Sequence, residues 1–217
     1  NDLTNNGNNL VKKGNAYFSV KKSFGLITNT TGSGFEKYAN GKIKLKKEIT
    51  LIWSGYFIGT PTINAGIFGV SYSNDDSIPY LAYQIYYDGA GSLNISGNYA
   101  GTFYSGTTTT SGVILNKKYF LVAQIKSFSQ KLYNYNKQIS SAGNIITTIN
   151  YTSNSILSFG NYTGISRNSN IITEFGIIYN RILSPQEIQQ LYIDPYCFIK
   201  QPSYRMYVPQ GIVTAKG

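Results

Sequence analysis

The groups able to do acid–base or nucleophilic chemistry are few: nine carboxylates, one cysteine and no histidine in 217 residues. Glycosidic cleavage needs two carboxylates facing each other across a sugar, one to protonate the leaving group and one to attack or to activate water. Glu36, Glu48, Glu174 and Glu187 are scattered, and no Glu-x-Asp-x-Glu spacing occurs. In the adjacent pair Asp75-Asp76, neighbouring side chains point apart. Without histidine, Ser-His-Asp and Cys-His catalysis are excluded, as are the usual zinc, copper and haem sites, which leaves oxygen-ligated ions such as calcium. Cys197 has no partner in the chain for a disulfide. The expectation is a protein that binds or assembles and is not an enzyme.

Charge narrows what it could bind. The formal net charge is +10, and it is unevenly spread. Residues 1–50 carry nine lysines against Asp2, Glu36 and Glu48, residues 51–116 have no Lys or Arg at all, and residues 117–217 hold ten basic and three acidic residues. The pairs Lys12-Lys13, Lys21-Lys22 and Lys46-Lys47 stand apart, and no helix-turn-helix, zinc-finger or RNA-recognition pattern accompanies them, so no specific nucleic-acid partner is expected. Lysines that keep sheet edges from pairing with other chains account for them more simply. No apolar run reaches the roughly 18 to 20 residues of a membrane helix, so no membrane partner is expected. Asn1 is followed by no charged-then-apolar leader, so a secretory signal is expected to be absent or already removed.

The elements that must position any site read as strands. Short runs rich in Ile, Val, Tyr, Phe and Thr alternate with Gly, Asn and Ser clusters, the pattern of an all-β sandwich or barrel. The clearest runs are Glu48–Ile58, Ala65–Ser73, Tyr80–Tyr87, Tyr119–Lys126, Lys131–Tyr135, Ile156–Gly160 and Ile171–Leu183, separated by turn-forming stretches such as Ser73-Asn74-Asp75-Asp76 and Asp88-Gly89-Ala90-Gly91. One segment departs from this. Ser184-Pro185-Gln186-Glu187 is a capping box with proline at the first helical position. Ile188, Leu191 and Tyr192 then share one helical face, and Asp194-Pro195 ends the element. The spacing predicts an amphipathic helix of a turn and a half, docked on the sandwich.

Residues 174–192, EFGIIYNRILSPQEIQQLY, resemble the last strand and closing helix of the laminin-G-like, concanavalin-A-like jelly roll. EITLIWSGYF is similar to that family's first long core strand, KKYFLVAQI to the strand usually read Trp-His-x-Val-Ala, KLYNYNKQI to its Leu-Tyr-Val-Asn-Gly hairpin, and the Asn-rich opening from Asp2 to its Asp-x-Ser-Gly-Asn-Gly turn. Tyr119-Phe120 replaces the Trp-His pair, and Asn136-Lys137 stands where the hairpin turn would be. The resemblance implies an all-β fold, a two-sheet antiparallel jelly-roll sandwich with one short C-terminal helix, over residues 1–194. It also implies carbohydrate binding. Sugars offer hydroxyls to Asn and Arg and apolar faces to aromatic rings, so the candidate glycan-binding residues are Tyr99, Phe103 and Tyr104 after Asn98, and Asn161, Tyr162 and Arg167 in the loop after Phe159. Many family members hold calcium at the sandwich rim. Asp75, Asp76 and Asp88, in the stretch without positive charge, are the candidate ligands here, although none falls on a family motif.

Residues 195–217 read as an extended tail. DPYCFIKQPSYRMYVPQG resembles the Pro-aromatic-x-Phe-x-x-Pro extensions that follow such domains in many bacteriophage structural proteins. That resemblance implies a virion-surface decoration module, present in many copies, with capsid or tail subunits and host or mucosal glycans as partners; the alternative is a secreted or cell-surface lectin domain outside any virion. Tyr196, Phe198, Lys200, Tyr204, Arg205 and Tyr207 would either dock on a partner subunit or lie along the chain's own sandwich. The capping box carries its own test: Ser184→Ala is expected to lower stability by about 1 kcal/mol in denaturant titration, and an unchanged midpoint would mean that the helix starts elsewhere.

Overall fold

A computed structural model describes residues 11–13, 17–19, 25–28, 34–38, 48–71, 81–88, 91–99, 102–105, 107–108, 112–126, 129–135, 137–142, 156–160, 169–195 and 197. In chain order the elements are β1 (Val11–Lys13), β2 (Tyr17–Ser19), β3 (Gly25–Thr28), β4 (Gly34–Tyr38), β5 (Ile49–Phe57), β6 (Ala65–Ser71), β7 (Leu81–Tyr87) and β8 (Leu93–Tyr99). There follow β9 (Thr102–Ser105), β10 (Thr107–Thr108), β11 (Lys118–Lys126), β12 (Ser129–Asn134), β13 (Lys137–Ala142), β14 (Ile156–Phe159), β15 (Ile171–Tyr179) and α1 (Pro185–Ile193). Seven strands form one sheet, in the order β1-β4-β14-β6-β7-β8-β9, and eight form the other, β10-β13-β12-β11-β5-β15-β3-β2. Neighbours are antiparallel throughout. This is the two-sheet jelly-roll sandwich with one short C-terminal helix.

The core between the sheets follows from the period of two along a strand. Ile49, Leu51, Trp53 and Phe57 of β5 point inward with Leu121, Ala123 and Ile125 of β11, and meet Ile67, Phe68, Tyr83 and Ile85 of the facing sheet. Burying each large side chain fully contributes about 1.5–3 kcal/mol. Trp53 also satisfies its one polar atom, since Nε1 donates to Thr173 Oγ1 across the β5–β15 ladder at 2.9 Å. Two glycines leave room for rings. A Cβ on Gly55 would strike the Trp53 indole and the Ile172 carbonyl, and one on Gly176 would strike Phe159 and Phe68 of the opposite sheet. Those two phenyl rings stack with centroids 4.7 Å apart.

The outer face of the eight-stranded sheet carries a second apolar cluster. The ladder places Tyr179, Thr50 and Gln124 in one row across β15, β5 and β11, Ile177, Ile52 and Val122 in the next, and Phe175, Ser54 and Phe120 in the third. Helix α1 lies over these rows. Leu183 and Leu191 are buried against Ile52, Phe120 and Val122, while Tyr133, Ile188 and Cys197 pack half-buried around them. The descent to the helix is held by side chains reaching up from the sheet: Thr50 Oγ1 donates to the Arg181 carbonyl (2.9 Å), and Gln124 Nε2 donates to that of Leu183 (2.7 Å). The capping box forms as its residues require. The Glu187 amide donates to Ser184 Oγ, the Ser184 amide donates back to Glu187 Oε2, and Pro185 opens the helix.

Four local expectations are corrected. The last strand stops at Tyr179, four residues before Leu183, because the chain leaves the ladder to fold over Thr50. The helix runs nine residues rather than a turn and a half, since the Asp194 amide still reaches the Gln190 carbonyl. The run expected to end at Tyr135 ends at Asn134. The hairpin that follows does not turn on Asn136-Lys137: Asn134 already pairs with Lys137, which places Lys137 on β13, and Tyr135 takes a φ of +54°. Lys12 and Lys13 do lie on an edge strand, β1.

Glu187 gives the cap a pH dependence. Arg181 binds its carboxylate with two hydrogen bonds, at 2.6 and 2.9 Å, and the Ser184 amide adds a third, holding its pKa down to about 2. A depressed carboxylate stabilises the fold above its unfolded pKa of about 4.3 and loses that contribution as pH falls from there toward 2. The melting-temperature difference between the native chain and Glu187→Gln is therefore expected at neutral pH and should close in this acid window; a difference that persisted near pH 2 would contradict it. Gly176→Ala is expected to cost about 1–3 kcal/mol in denaturant titration by pushing Phe159 and Phe68 apart.

Candidate functional site

Helix α1 covers part of the outer face. Beyond the third row lies a fourth, Ile172, Tyr56 and Lys118, with Tyr56 and Lys118 directly opposite each other on β5 and β11. One extra residue brings a carboxylate here. The β5–β15 register passes from Thr173↔Gly55 to Phe175↔Ser54, so Glu174 is the inserted residue of a β-bulge. Its Oε2 accepts from Ser54 Oγ at 3.2 Å and pairs with Lys118 Nζ at 2.7 Å. Burial works against the Lys118 ammonium, but the hydrogen bond and charge of Glu174 outweigh it and raise its pKa above the ordinary lysine value.

Aromatic rings border the ion pair. Tyr135 donates its hydroxyl to the Lys118 carbonyl at 2.9 Å and its amide to that of Phe120, also at 2.9 Å. Burial, with the nearby Tyr192 phenol second, pushes the Tyr135 phenol up. Tyr192, in the last turn of α1, meets Tyr135 edge to face at 4.9 Å and Phe120 at 5.4 Å, while 44% of it stays exposed. Tyr56, Tyr135 and Tyr192 thus surround a partly exposed lysine and a half-buried glutamate on a rigid sheet.

Backbone strain gathers at the adjoining end of the sandwich. Among the described residues every positive φ falls there: Asn64, Asn116, Tyr135 and Asn170, with Gly91, Gly112 and Gly160. A non-glycine residue held in this region costs about 1–3 kcal/mol and persists where surrounding contacts fix it. Those contacts are on record. The Asn116 amide donates to the Phe57 carbonyl, the Gly112 amide to that of Gly91, and the Ile58 amide to that of Asn170. Ser169 Oγ bonds the carbonyls of Gly66 and Gly160. The turn at Asn116 delivers Lys118, and the turn at Tyr135 delivers its ring.

The residues singled out from sequence are distributed differently. Tyr99, Phe103 and Tyr104 lie on β8 and β9, the hairpin at one edge of the seven-stranded sheet, with Tyr104 opposite Gly97 and Phe103 opposite Asn98. Strand β8 runs from Leu93 near the strained loops to Tyr99 at the far end of the sandwich, and both strands belong to the other sheet from Lys118. Asn161, Tyr162 and Arg167 lie outside the described residues, between Gly160 and Ser169, which sit at the strained end. Asp75 and Asp76 also lie outside, in the connection that enters β7 at Leu81, whereas Asp88 follows the opposite end of that strand. The Asp88 carboxylate accepts from the Ser92 amide (2.9 Å) and from Asn94 Nδ2 (3.1 Å), and Asn94 Oδ1 accepts from Ser140 Oγ of the other sheet (2.8 Å). Asp88 is therefore built into a polar bridge between the sheets. Among the described residues no three His, Cys, Asp or Glu side chains converge as a metal site would require. The tail residues Tyr196, Phe198, Lys200, Tyr204, Arg205 and Tyr207 lie outside the described residues.

No family model matches the chain, and no curated protein matches it in sequence. Solved structures do match its fold. Trypanosoma rangeli sialidase superposes with a TM-score of 0.61 at 18% identity, over 85% of this chain and 29% of that one. Domain 4 of AbnA, a GH43 extracellular arabinanase from Geobacillus stearothermophilus in complex with arabinotriose, gives 0.58 at 15% identity, over 88% of this chain and 84% of that one. A structure of botulinum neurotoxin type C, whose cell entry depends on interaction with two ganglioside molecules, gives 0.62 at 14% identity, over 90% and 48%. The chain spans less than a third of the length of the sialidase chains it matches. At these identities the likeness shows the fold alone, a two-sheet jelly-roll sandwich.

Lys118, Glu174, Tyr56 and Tyr192 were missed as a group from sequence. Tyr192 reads there as helix packing and Glu174 as an isolated acid, because the bulge that turns Glu174 toward Lys118 has no signature of its own in IITEFGIIY.

Proposed function

We propose that the chain is a non-catalytic glycan-binding module that receives its ligand on the open part of the outer face, at Tyr56, Lys118, Tyr135, Glu174 and Tyr192. The observation that carries this reading is the group of partly exposed tyrosines beside an ion pair, since rings pack on the apolar face of a sugar while charged groups take its hydroxyls. The matched structures of the arabinanase domain with arabinotriose and of the ganglioside-dependent neurotoxin support it by likeness of fold. A non-catalytic role is supported by the disposition of acids. The nine carboxylates are scattered along the chain, and among the described residues Glu187 is engaged by Arg181 and Asp88 by Ser92 and Asn94, an arrangement unlike the facing carboxylate pair that glycosidic cleavage needs. Placement on a bacteriophage virion, as a many-copy adhesin in which weak single sites add up, rests on the sequence of the tail. Deleting residues 196–217 should then abolish particle association and leave folding intact.

The binding test is direct. A glycan array at physiological salt should show binding, and Tyr192→Ala and Tyr56→Ala should each weaken it by about tenfold while the circular dichroism spectrum stays unchanged. Absence of any bound glycan would overturn the reading. Loss of binding on substituting Tyr104 or Tyr162, with the Tyr192 variant unaffected, would move the site to the positions expected from sequence.

A further inference from the structure

We infer that this site selects neutral glycans, engaging two neighbouring sugar hydroxyls through the Lys118–Glu174 pair, and that it does not select sialylated or sulfated ones. The inference rests on the glycan-binding reading and adds the class of sugar. Among the described residues the Lys118 ammonium has one partner, Glu174 Oε2, which leaves two N–H donors; Glu174 Oε1 accepts no hydrogen bond. The Lys118 side chain is 47% exposed and that of Glu174 is 19% exposed, so the lysine is open to solvent and the glutamate partly so. The pair therefore presents a donor and an acceptor side by side. One sugar hydroxyl can accept from Nζ while its neighbour donates to Oε1, and each is a charge-assisted bond, stronger than one between neutral groups.

An acidic group gains nothing comparable. A unit negative charge beside the ammonium is attracted by an energy that falls with distance and with the local dielectric. With Glu174 bonded to that ammonium at 2.7 Å, the same anion stands close to a carboxylate and meets an opposing energy of similar size. The site is electrically neutral within a chain whose formal net charge is +10. That overall charge draws in any polyanion from a distance, but salt screens it over about 8 Å at physiological ionic strength. Selectivity at that ionic strength consequently reports the pair itself.

The experiment uses the full chain on an array in which each neutral glycan is printed beside its sialylated and sulfated forms, at about 0.15 M salt. Neutral members should bind, their acidic forms should bind no better, and Glu174→Gln and Lys118→Met should each weaken neutral binding by roughly 10- to 100-fold while the circular dichroism spectrum stays that of the folded chain. Stronger binding of the acidic forms, enhanced by Glu174→Gln, would overturn the inference and leave the glycan-binding reading standing. Neutral binding indifferent to both substitutions would also overturn it. If no glycan of either kind binds, the underlying reading fails. Should either variant unfold, the native chain still decides: affinity for a neutral oligosaccharide should hold within about twofold as salt rises to about 0.5 M, and a steep loss would count against the inference.

Discussion

Strand β5 is buried on both sides, and the rest of the structure is built around that constraint. Its odd-numbered residues feed the core between the sheets and its even-numbered ones face the outer surface, where Ile52 lies beneath helix α1. A strand in this position cannot slip by one residue, because doing so would move Trp53 out of one cluster and Ile52 out of the other. Its partner β15 must therefore satisfy two faces at once. Ile171 and Thr173 point inward before the bulge, and Gly176 and Ile178 after it, so the inserted Glu174 changes which residues are inward along β15. The Trp53–Thr173 hydrogen bond anchors one side of that change, and the ring-lined niche at Gly176 anchors the other.

What could be read in the sequence was local chemistry. The capping box needs nothing but the residues from Ser184 to Glu187, and it formed as read. The strands announce themselves as β-branched and aromatic runs, and their bounds agree to within a few residues. The misreadings are equally local in origin. A turn on Asn136-Lys137 was expected from the resemblance, which puts Asn-Gly at the hairpin turn, yet Tyr135 takes the positive φ, held by two carbonyls and two neighbouring rings. The fold was legible because it is written in short segments.

The candidate site was not legible, for a reason that lies in the topology. Tyr56, Lys118, Glu174 and Tyr192 come from four separate stretches and meet through the register of β11, β5 and β15 and the path of the helix. A doubly buried strand shows no clean alternation, so the bulge leaves no pattern to find. The aromatic candidates at Tyr99, Phe103 and Tyr104 were chosen for their proximity along the chain, and the antiparallel hairpin of β8 and β9 sets them on the other sheet.

Helix α1 runs from the Thr50 row toward the Phe120 row, starting at its serine cap and finishing at Asp194 before Pro195. Its length works as a ruler for the aperture beside it. One more turn would advance about 5.4 Å and roof over the lysine and glutamate, whereas a shorter helix would remove the ring that forms the near wall. The proline that stops the helix thereby sets how much of the outer face stays open, without altering a single strand.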